Sequence, residues 1–356
     1  MTRFTQMLAR LDLRIMIFLA LLVAIALGWV PDPAAGLAAA AVLNIAPFPT
    51  RPDYTAIAVA YRNERLIADD VAPRHPVGAK EFKYWKYRLA DGFTIPDTRV
   101  GRKSAPNQVE FGADEATASV EDHGLDDPVP QDDIDAAKNI PNYDPLADTT
   151  LMLTDTMLLA REKRVADMVF DDTQYAVGNK VTLAGNDRWD VNHADSDPVA
   201  DVLTGLDACI MRPNIMTIGR LAWTKLSTHT KMAAAVFKQG STSGIVTRQM
   251  VADLFELDEV LVGEGWINTA KKGQTPVMAR CWGKHCALLY RDKLAKPQQR
   301  GRMSFAVTAQ FGGRIAGTIA DPNIGLKGGQ KVRVGEQVKE LITANDLGYF
   351  LKTVIS

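Results

Sequence analysis

The stretch DPLADTTLMLTDTMLLAREKRVADMVF, residues 144–170, decides the fold class. Asp144 is a good helix N-cap, and Pro145 stands at the first helical position, where a missing N–H costs nothing. Ala147, Leu151, Leu158, Val165 and Met168 recur at spacings of three, four and seven, which is one face of a 3.6-residue helix. The pattern predicts a helix of about seven turns, long for a compact domain. Arg161, Glu162, Lys163 and Arg164 break the apolar surface and are expected on the other faces.

Working outward toward the C-terminus, residues 177–183 with Trp189 suggest a short strand and a loop. Asp197-Pro198 opens a second capped helix, with Val199, Val202, Leu203 and Leu206 on one side. Residues 215–218 read as a short buried strand, 221–237 as helix and 239–244 as a loop. Thr247 caps a helix through Leu254. Further strands are expected at 259–262, 286–290, 304–311 and 329–342. Toward the N-terminus, Pro73 and Pro76 argue against helix or central strand, so residues 51–76 are expected to be an extended arm or edge. Residues 77–120 read as a long β-hairpin. Phe82 and Tyr84 alternate there with Lys83 and Trp85, Ala90-Asp91-Gly92 and Pro96-Asp97 mark bends, and 107–111 supplies the returning strand. The order is mixed α+β, without the regular alternation of a doubly wound sheet.

With 356 residues and 47% hydrophobic side chains, the chain can bury a sizeable core. Its 41 basic and 42 acidic groups exclude a polycationic nucleic-acid clamp and an acidic disordered tail. Three cysteines, Cys209, Cys281 and Cys286, make no disulfide scaffold and point to a reducing cytoplasm. Charge is segregated within this balance. Lys80, Lys83, Lys86, Arg88, Arg99, Arg102 and Lys103 crowd the hairpin, whereas residues 114–135 hold nine acids and no Lys or Arg. Such runs are either solvated surface or complementary docking faces, the basic hairpin of one subunit on the acidic patch of another.

At the front, residues 15–30 carry no charge, follow Arg3, Arg10 and Arg14, and end at Pro31-Asp32-Pro33. Three readings stand: a secretory signal, a membrane anchor slightly short of about 20 apolar residues, or a leader foreign to the folded body.

The motifs of common catalytic chemistry do not occur. Gly325-Leu326-Lys327-Gly328-Gly329 lacks the spacing and ending of a phosphate loop, and neither His-Glu-x-x-His nor Gly-x-Ser-x-Gly is present. Cys281, His285 and Cys286 put three ligand types within six residues, but no second cluster completes a zinc site. His75, His123, His193 and His229 have no partner at motif spacing. No catalytic, cofactor-binding or metal residue is therefore assigned, and no cofactor is expected.

Several separated blocks carry a resemblance: TRPDYTAIAVAYRN (50–63), EFKY (81–84), GFTIPDTRVG (92–101), ACIMRPNIM (208–216), GKHCALLY (283–290) and RIAG (314–317). Over residues 49–356 they resemble major capsid proteins of tailed bacteriophages and prophages. The resemblance implies the tailed-phage capsid fold, with an N-arm at 49–76, an extended loop at 77–120 and a peripheral domain at 121–195 with its spine helix at 144–171. It further implies an axial domain at 196–300 and return strands at 301–356, leaving 1–48 as an N-terminal extension. The implied function is structural, not enzymatic: self-assembly through hexamers and pentamers into an icosahedral head around double-stranded DNA, without sequence-specific binding. Scaffolding, portal and decoration proteins are implied partners, and the implied location is the virion after assembly in the host cytoplasm. On this reading a membrane is not an expected partner despite residues 15–30, and Phe82, Tyr84 and Trp85 are expected to bury themselves on the neighbouring subunit. Two alternatives remain: a same-fold nanocompartment shell and, from another class, a membrane-anchored or exported enzyme.

Overall fold

Pro52 sits in the first turn of α1 (Pro52–Ala60), where it lacks no needed donor, and Tyr54 and Ala58, one helical turn apart, are both buried. The structure, a computed structural model, describes residues 48–87, 95, 97–108, 113–141, 143–191, 193–237, 244–271, 273–298 and 302–356. The apolar run at 15–30, the bend at 90–92 and most of the 239–244 loop lie outside the described residues. Met1–Arg51 and Pro52–Ser356 form separate units, and the architecture described is that of the second.

After α1 come a one-turn helix α2 (Ala68–Val71), β1 (Arg74–Val77), β2 (Glu81–Tyr87), β3 (Ala113–Ser119), β4 (Glu121–Pro130) and α3 (Gln131–Ala137). Half of residues 51–76 is thus helical, a correction to the extended form expected of that stretch. The prolines act only locally, and Pro76 does sit in an edge strand, β1. The strand that pairs with β2 is described over 113–119, with Ala116 and Ala118 opposite Tyr84 and Phe82, and residues 109–111 of the returning strand expected at 107–111 lie outside the described residues.

The helix of 144–170 is α4 (Pro145–Val169), 25 residues and about 37 Å long. The Asp144 carboxylate accepts the Leu146 N–H at 2.9 Å. One expectation is corrected here: Arg161 and Glu162 face inward and are fully buried. Beyond α4 lie β5 (Lys180–Thr182), α5 (Pro198–Ala208), β6 (Ile215–Gly219), α6 (Arg220–Ser227), α7 (Thr230–Val236) and α8 (Arg248–Phe255). The single helix expected over 221–237 is two, because the His229 ring caps α7 by accepting the Lys231 N–H. The chain closes with β7 (Glu259–Gly263), β8 (Trp266–Asn268), β9 (Met278–Arg280), β10 (Cys286–Leu289), β11 (Ala306–Phe311), β12 (Ile315–Asp321), β13 (Gly329–Ile342) and β14 (Gly348–Lys352).

Two five-stranded mixed sheets organise these elements. In the first, β13 is the organiser: β4 and β12 pair along its first part, and β11 pairs with its last five residues, with β1 parallel beyond. The second has the order β5-β14-β10-β6-β7. Its central strands β6 and β10 are buried at every position, so both faces are covered. One face packs on α5 to α8 through Val202, Leu206, Leu226 and Phe255. The other meets α2 and the end of α4 through Val71, Val165, Val169 and Phe350. A third core joins α1 and α4 to the first sheet through Tyr54, Met157, Val332 and Val334.

Candidate assembly interface

The hairpin β2–β3 follows the period of two. Phe82 and Tyr84 face Ala118 and Ala116 across the ladder, with ring centroids 6.4 Å apart. Both aromatics are buried, Phe82 to 3% exposure, against Val77, Val307, Ala309 and Leu341 of the same chain. This corrects the expectation that they bury on a neighbour: β1 and β11 already supply the apolar wall. Trp85, on the opposite face, is half-buried, and its backbone N–H donates to the Pro297 carbonyl at 3.2 Å.

The acidic run is also engaged within the chain. Glu115 pairs with Lys83 at 3.0 Å and Asp122 with Lys80 at 3.6 Å, both within the hairpin and its continuation. Along β4, Asp126 grips Arg333 through two bonds of 2.6 Å, and Glu121 bonds Lys339. Lys327 and Lys138 take Asp132 and Asp135. Glu115, Glu121, Asp122, Asp126, Asp132 and Asp135 are therefore paired within the chain, while Asp127 and Asp133 are exposed with no ion pair among the described residues. The β13 cations that pair with Asp126 and Glu121 lie some two hundred residues away in sequence.

What remains outward is the loop 97–108 with Ile95 before it. Ile95 is 92% exposed, and Arg99, Val100, Arg102 and Lys103 are exposed beside it. The loop holds a local shape: Asp97 accepts the Arg99 N–H at 3.0 Å, and the Asn107 amide donates to the Asp97 carbonyl at 2.8 Å. An exposed aliphatic flanked by cations that make no ion pair among the described residues suits a partner surface more than bulk water.

A buried ionic node fixes the root of this hairpin. Glu336 occupies an inward position of β13, in register with Val332, Val334 and Val338, and is matched by two guanidiniums. Arg74 reaches it at 2.8 Å and Arg314 at 3.3 Å. Arg74 also bonds Asp69 at 2.7 Å, and Arg161 bonds Asp69, the Ala72 carbonyl and the Thr308 hydroxyl. Burial pushes the Glu336 carboxyl up, but Arg74 and Arg314 outweigh it and hold it below the usual range. Asp69 follows the same logic, burial being outweighed by Arg161 and Arg74. Glu162 behaves oppositely. Burial raises it despite hydrogen bonds from the Trp282 indole and the Ile67 and Ala68 N–H groups. Sequence reading missed this node. Its signal was present as an acid in the alternating apolar register of β13 and an Arg-Glu pair within the stripe of α4.

The other sequence candidates resolve structurally. Cys281 packs in the core beside α4 and Cys286 in the core beneath α5 to α8, on opposite faces of the second sheet, so they do not converge on one ion. His285 Nδ1 accepts the Thr353 N–H at 2.8 Å and its ring packs on Phe170 and Phe350. His229 stands 3.1 Å from the Ser196 hydroxyl, but that hydroxyl donates to the Arg188 carbonyl. The imidazole therefore donates to Ser196 and cannot act as its base.

The chain has relatives of known identity, although no protein-family model matches it. The major capsid protein of Pseudomonas phage JBD67 is 51% identical over 314 residues, covering 88% of this chain and 100% of the relative. The major capsid protein of Burkholderia phage BcepMu is 28% identical over 258 residues, covering 70% and 77%. Among solved structures, a phage-related protein from Bordetella bronchiseptica superposes with a TM-score of 0.68 at 24% identity, covering 86% of this chain and 97% of its own. The capsid structure of cyanophage P-SCSP1u gives 0.51 at 10% identity, covering 82% and 89%.

Proposed function

Since the chain belongs to the major capsid proteins of tailed bacteriophages, we propose that each copy lays its exposed loop, residues 95–108, on a neighbouring copy as the shell closes. The fold is the tailed-phage capsid fold, and the role is structural: copies of the chain assemble into the shell of a phage head. The observation that supports the docking reading is Ile95 and Val100 exposed beside Arg99, Arg102 and Lys103, on a hairpin whose root is fastened by buried aromatics and the ionic node.

In this reading residues 49–76 act as an arm and 77–120 as the extended loop. Residues 121–195, with the spine helix at 144–171, form the peripheral part, 196–300 the axial part, and 301–356 return to both sheets. Copies associate as hexamers and pentamers, in the host cytoplasm, with scaffolding, portal and decoration proteins as further partners. A near-neutral wall encloses double-stranded DNA without gripping it, since non-specific DNA affinity rises with each cation placed on a phosphate.

The test is Arg99→Glu with Arg102→Glu and Lys103→Glu. These side chains make no ion pair among the described residues, so the subunit keeps its fold by circular dichroism and loses shell formation under negative-stain microscopy. Normal particles from the triple variant would sink the docking reading.

A further inference from the structure

Thr353, the residue after β14, has a φ of 57°, in the left-handed region that β-branched side chains rarely adopt. Such a conformation persists only where the surroundings hold it. The kink turns the chain off the line of β14. The Lys352 carbonyl still accepts the Leu183 N–H at 3.0 Å, whereas the Val354 N–H donates to the Lys284 carbonyl at 3.0 Å and the Val354 carbonyl accepts the Trp189 backbone N–H at 2.8 Å. Val354 and Ile355 are buried in the core that holds Leu183, Trp189 and Leu351. The Asp190 carboxylate accepts the Ser356 N–H at 3.0 Å together with the Ser356 hydroxyl, and Lys284 bonds the Ser356 carbonyl. Residues 353–356 are thus a short strap that closes this core.

One side chain holds the kink itself. The His285 Nδ1 accepts the Thr353 N–H at 2.8 Å. A backbone N–H only donates, so the imidazole is neutral there and carries its proton on Nε2. The ring is half-buried against Phe170 and Phe350, with centroids 5.4 and 5.5 Å away. Burial, and after it the Lys352 ammonium of β14, lowers its pKa below the ordinary 6.5. Lys352 is itself paired at 3.1 Å with Asp172, in the turn after α4 that also carries Asp171. α4 ends in the Lys163–Asp167 pair, and Glu162 lies beyond the Trp282 indole. Lys284, the neighbour of His285 in sequence, is engaged by Ser356, and β6 carries no charged residue.

We infer that His285 is an acid-released catch for the strap 353–356. A proton taken from solvent onto Nδ1 replaces the acceptor by a second donor, so the imidazolium N–H and the Thr353 N–H point at one another across 2.8 Å. Thr353 then relaxes to a negative φ, which withdraws Val354 and Ile355 from the core beside Trp189. A histidine whose folded value is depressed contributes stability above its ordinary 6.5 and loses it as pH falls through the folded value, so release belongs to mildly acid pH. Every group of the catch lies within one copy, and the inference is independent of the shell reading.

The experiment is hydrogen exchange of the full chain, read by mass spectrometry at pH 7 and pH 5 and corrected for intrinsic rates. Segments 187–190 and 353–356 are expected to lose protection by about tenfold at pH 5, the effect of a histidine pKa one unit lower in the closed strap than in the open one. The β6 segment 215–219 is expected to stay protected. His285→Asn, whose side-chain oxygen accepts the Thr353 N–H but takes up no proton in this range, is expected to abolish the acid response. Thr353→Gly, free of the left-handed penalty, is expected to be more protected than wild type at both pH values. Equal protection of the strap at the two pH values, an acid response that persists in His285→Asn, or a loss spread evenly over the strap and 215–219 would overturn the catch. A Thr353→Gly chain less protected than wild type at pH 7 would do so as well.

Discussion

Replacing Glu336 by Gln removes one charge from the ionic node with almost no change of shape. Glu336 is 1% exposed, and it is the carboxylate on which Arg74 and Arg314 meet. Breaking a buried pair from one side costs about 3–5 kcal/mol, because a desolvated cation is left behind. Two features place this case near the low end. Arg74 retains Asp69, and the glutamine oxygen still accepts one guanidinium N–H. Arg314 loses its carboxylate and keeps the Ala58 carbonyl at 2.5 Å. The expected loss is therefore about 3 kcal/mol. For about 305 residues, an unfolding entropy of about 2.1 cal/mol/K per residue gives ~0.64 kcal/mol/K, so the melting midpoint falls by about 5 °C. The assay is thermal unfolding of unassembled subunits followed by far-UV circular dichroism. Asp126→Asn is the control. Its bidentate pair with Arg333 is partly exposed, so a loss of at most about 1 kcal/mol moves the midpoint by less than about 2 °C. A Glu336→Gln midpoint within about 1 °C of wild type, or one equal to that of Asp126→Asn, would refute the claim that the buried node fixes the root of the hairpin.

The pH dependence of the two buried glutamates has opposite sign. Glu336 is held below its usual range, so its contribution is present above the ordinary value of 4.5 and is lost as pH falls through the depressed folded value. Glu162 is raised, so stability falls as pH climbs from 4.5 through its folded value. Glu162→Gln therefore flattens the stability profile on the alkaline side of pH 4.5. It costs about 1–3 kcal/mol, because an amide cannot accept from the Trp282 indole and from both the Ile67 and Ala68 N–H groups. An unchanged slope in denaturant midpoint against pH would contradict this. Phe82→Ala removes a buried ring at a cost of about 3–5 kcal/mol, confined to the hairpin. Amide exchange should accelerate in β2 and β3 and stay slow in β6 and β10, and uniform acceleration or none would be inconsistent with a separate hairpin core. The three thiols are buried, with Cys209 pushed up to about 12 and Cys281 to about 11, so native subunits at pH 8 resist a disulfide reagent and release three equivalents on unfolding. Rapid native reaction of any cysteine would place it outside the core.

Local signals carried most of the secondary structure. Asp144-Pro145 and Asp197-Pro198 begin their helices because capping depends on residues within one turn. Thr247 caps α8 as read, and β13 spans 329–342 as its alternation predicts. Errors arose where a local rule met a distant partner. TAIAVA reads as apolar and could extend, yet it is helical in α1, where Tyr54 and Ala58 share a core with α4 and β13. Arg161 and Glu162 read as surface charges on α4, and burial became tolerable only once Asp69, Thr308 and Trp282 arrived from other parts of the chain.

By itself, the sequence determined the class of the protein, its long capped helix, its hairpin and the kinship that assigns it to a shell. These depend on spacings of two, three and four residues or on blocks of shared residues, and both are visible along a line. Only the tertiary structure decided which charges are available to a neighbour. Asp126, Glu121 and Asp132 are taken by Arg333, Lys339 and Lys327, cations some two hundred residues away along the chain. The basic side chains Arg99, Arg102 and Lys103 make no ion pair among the described residues and are exposed. Pairing of charges is a property of distance in space, and a linear charge count sums groups that the fold has already joined.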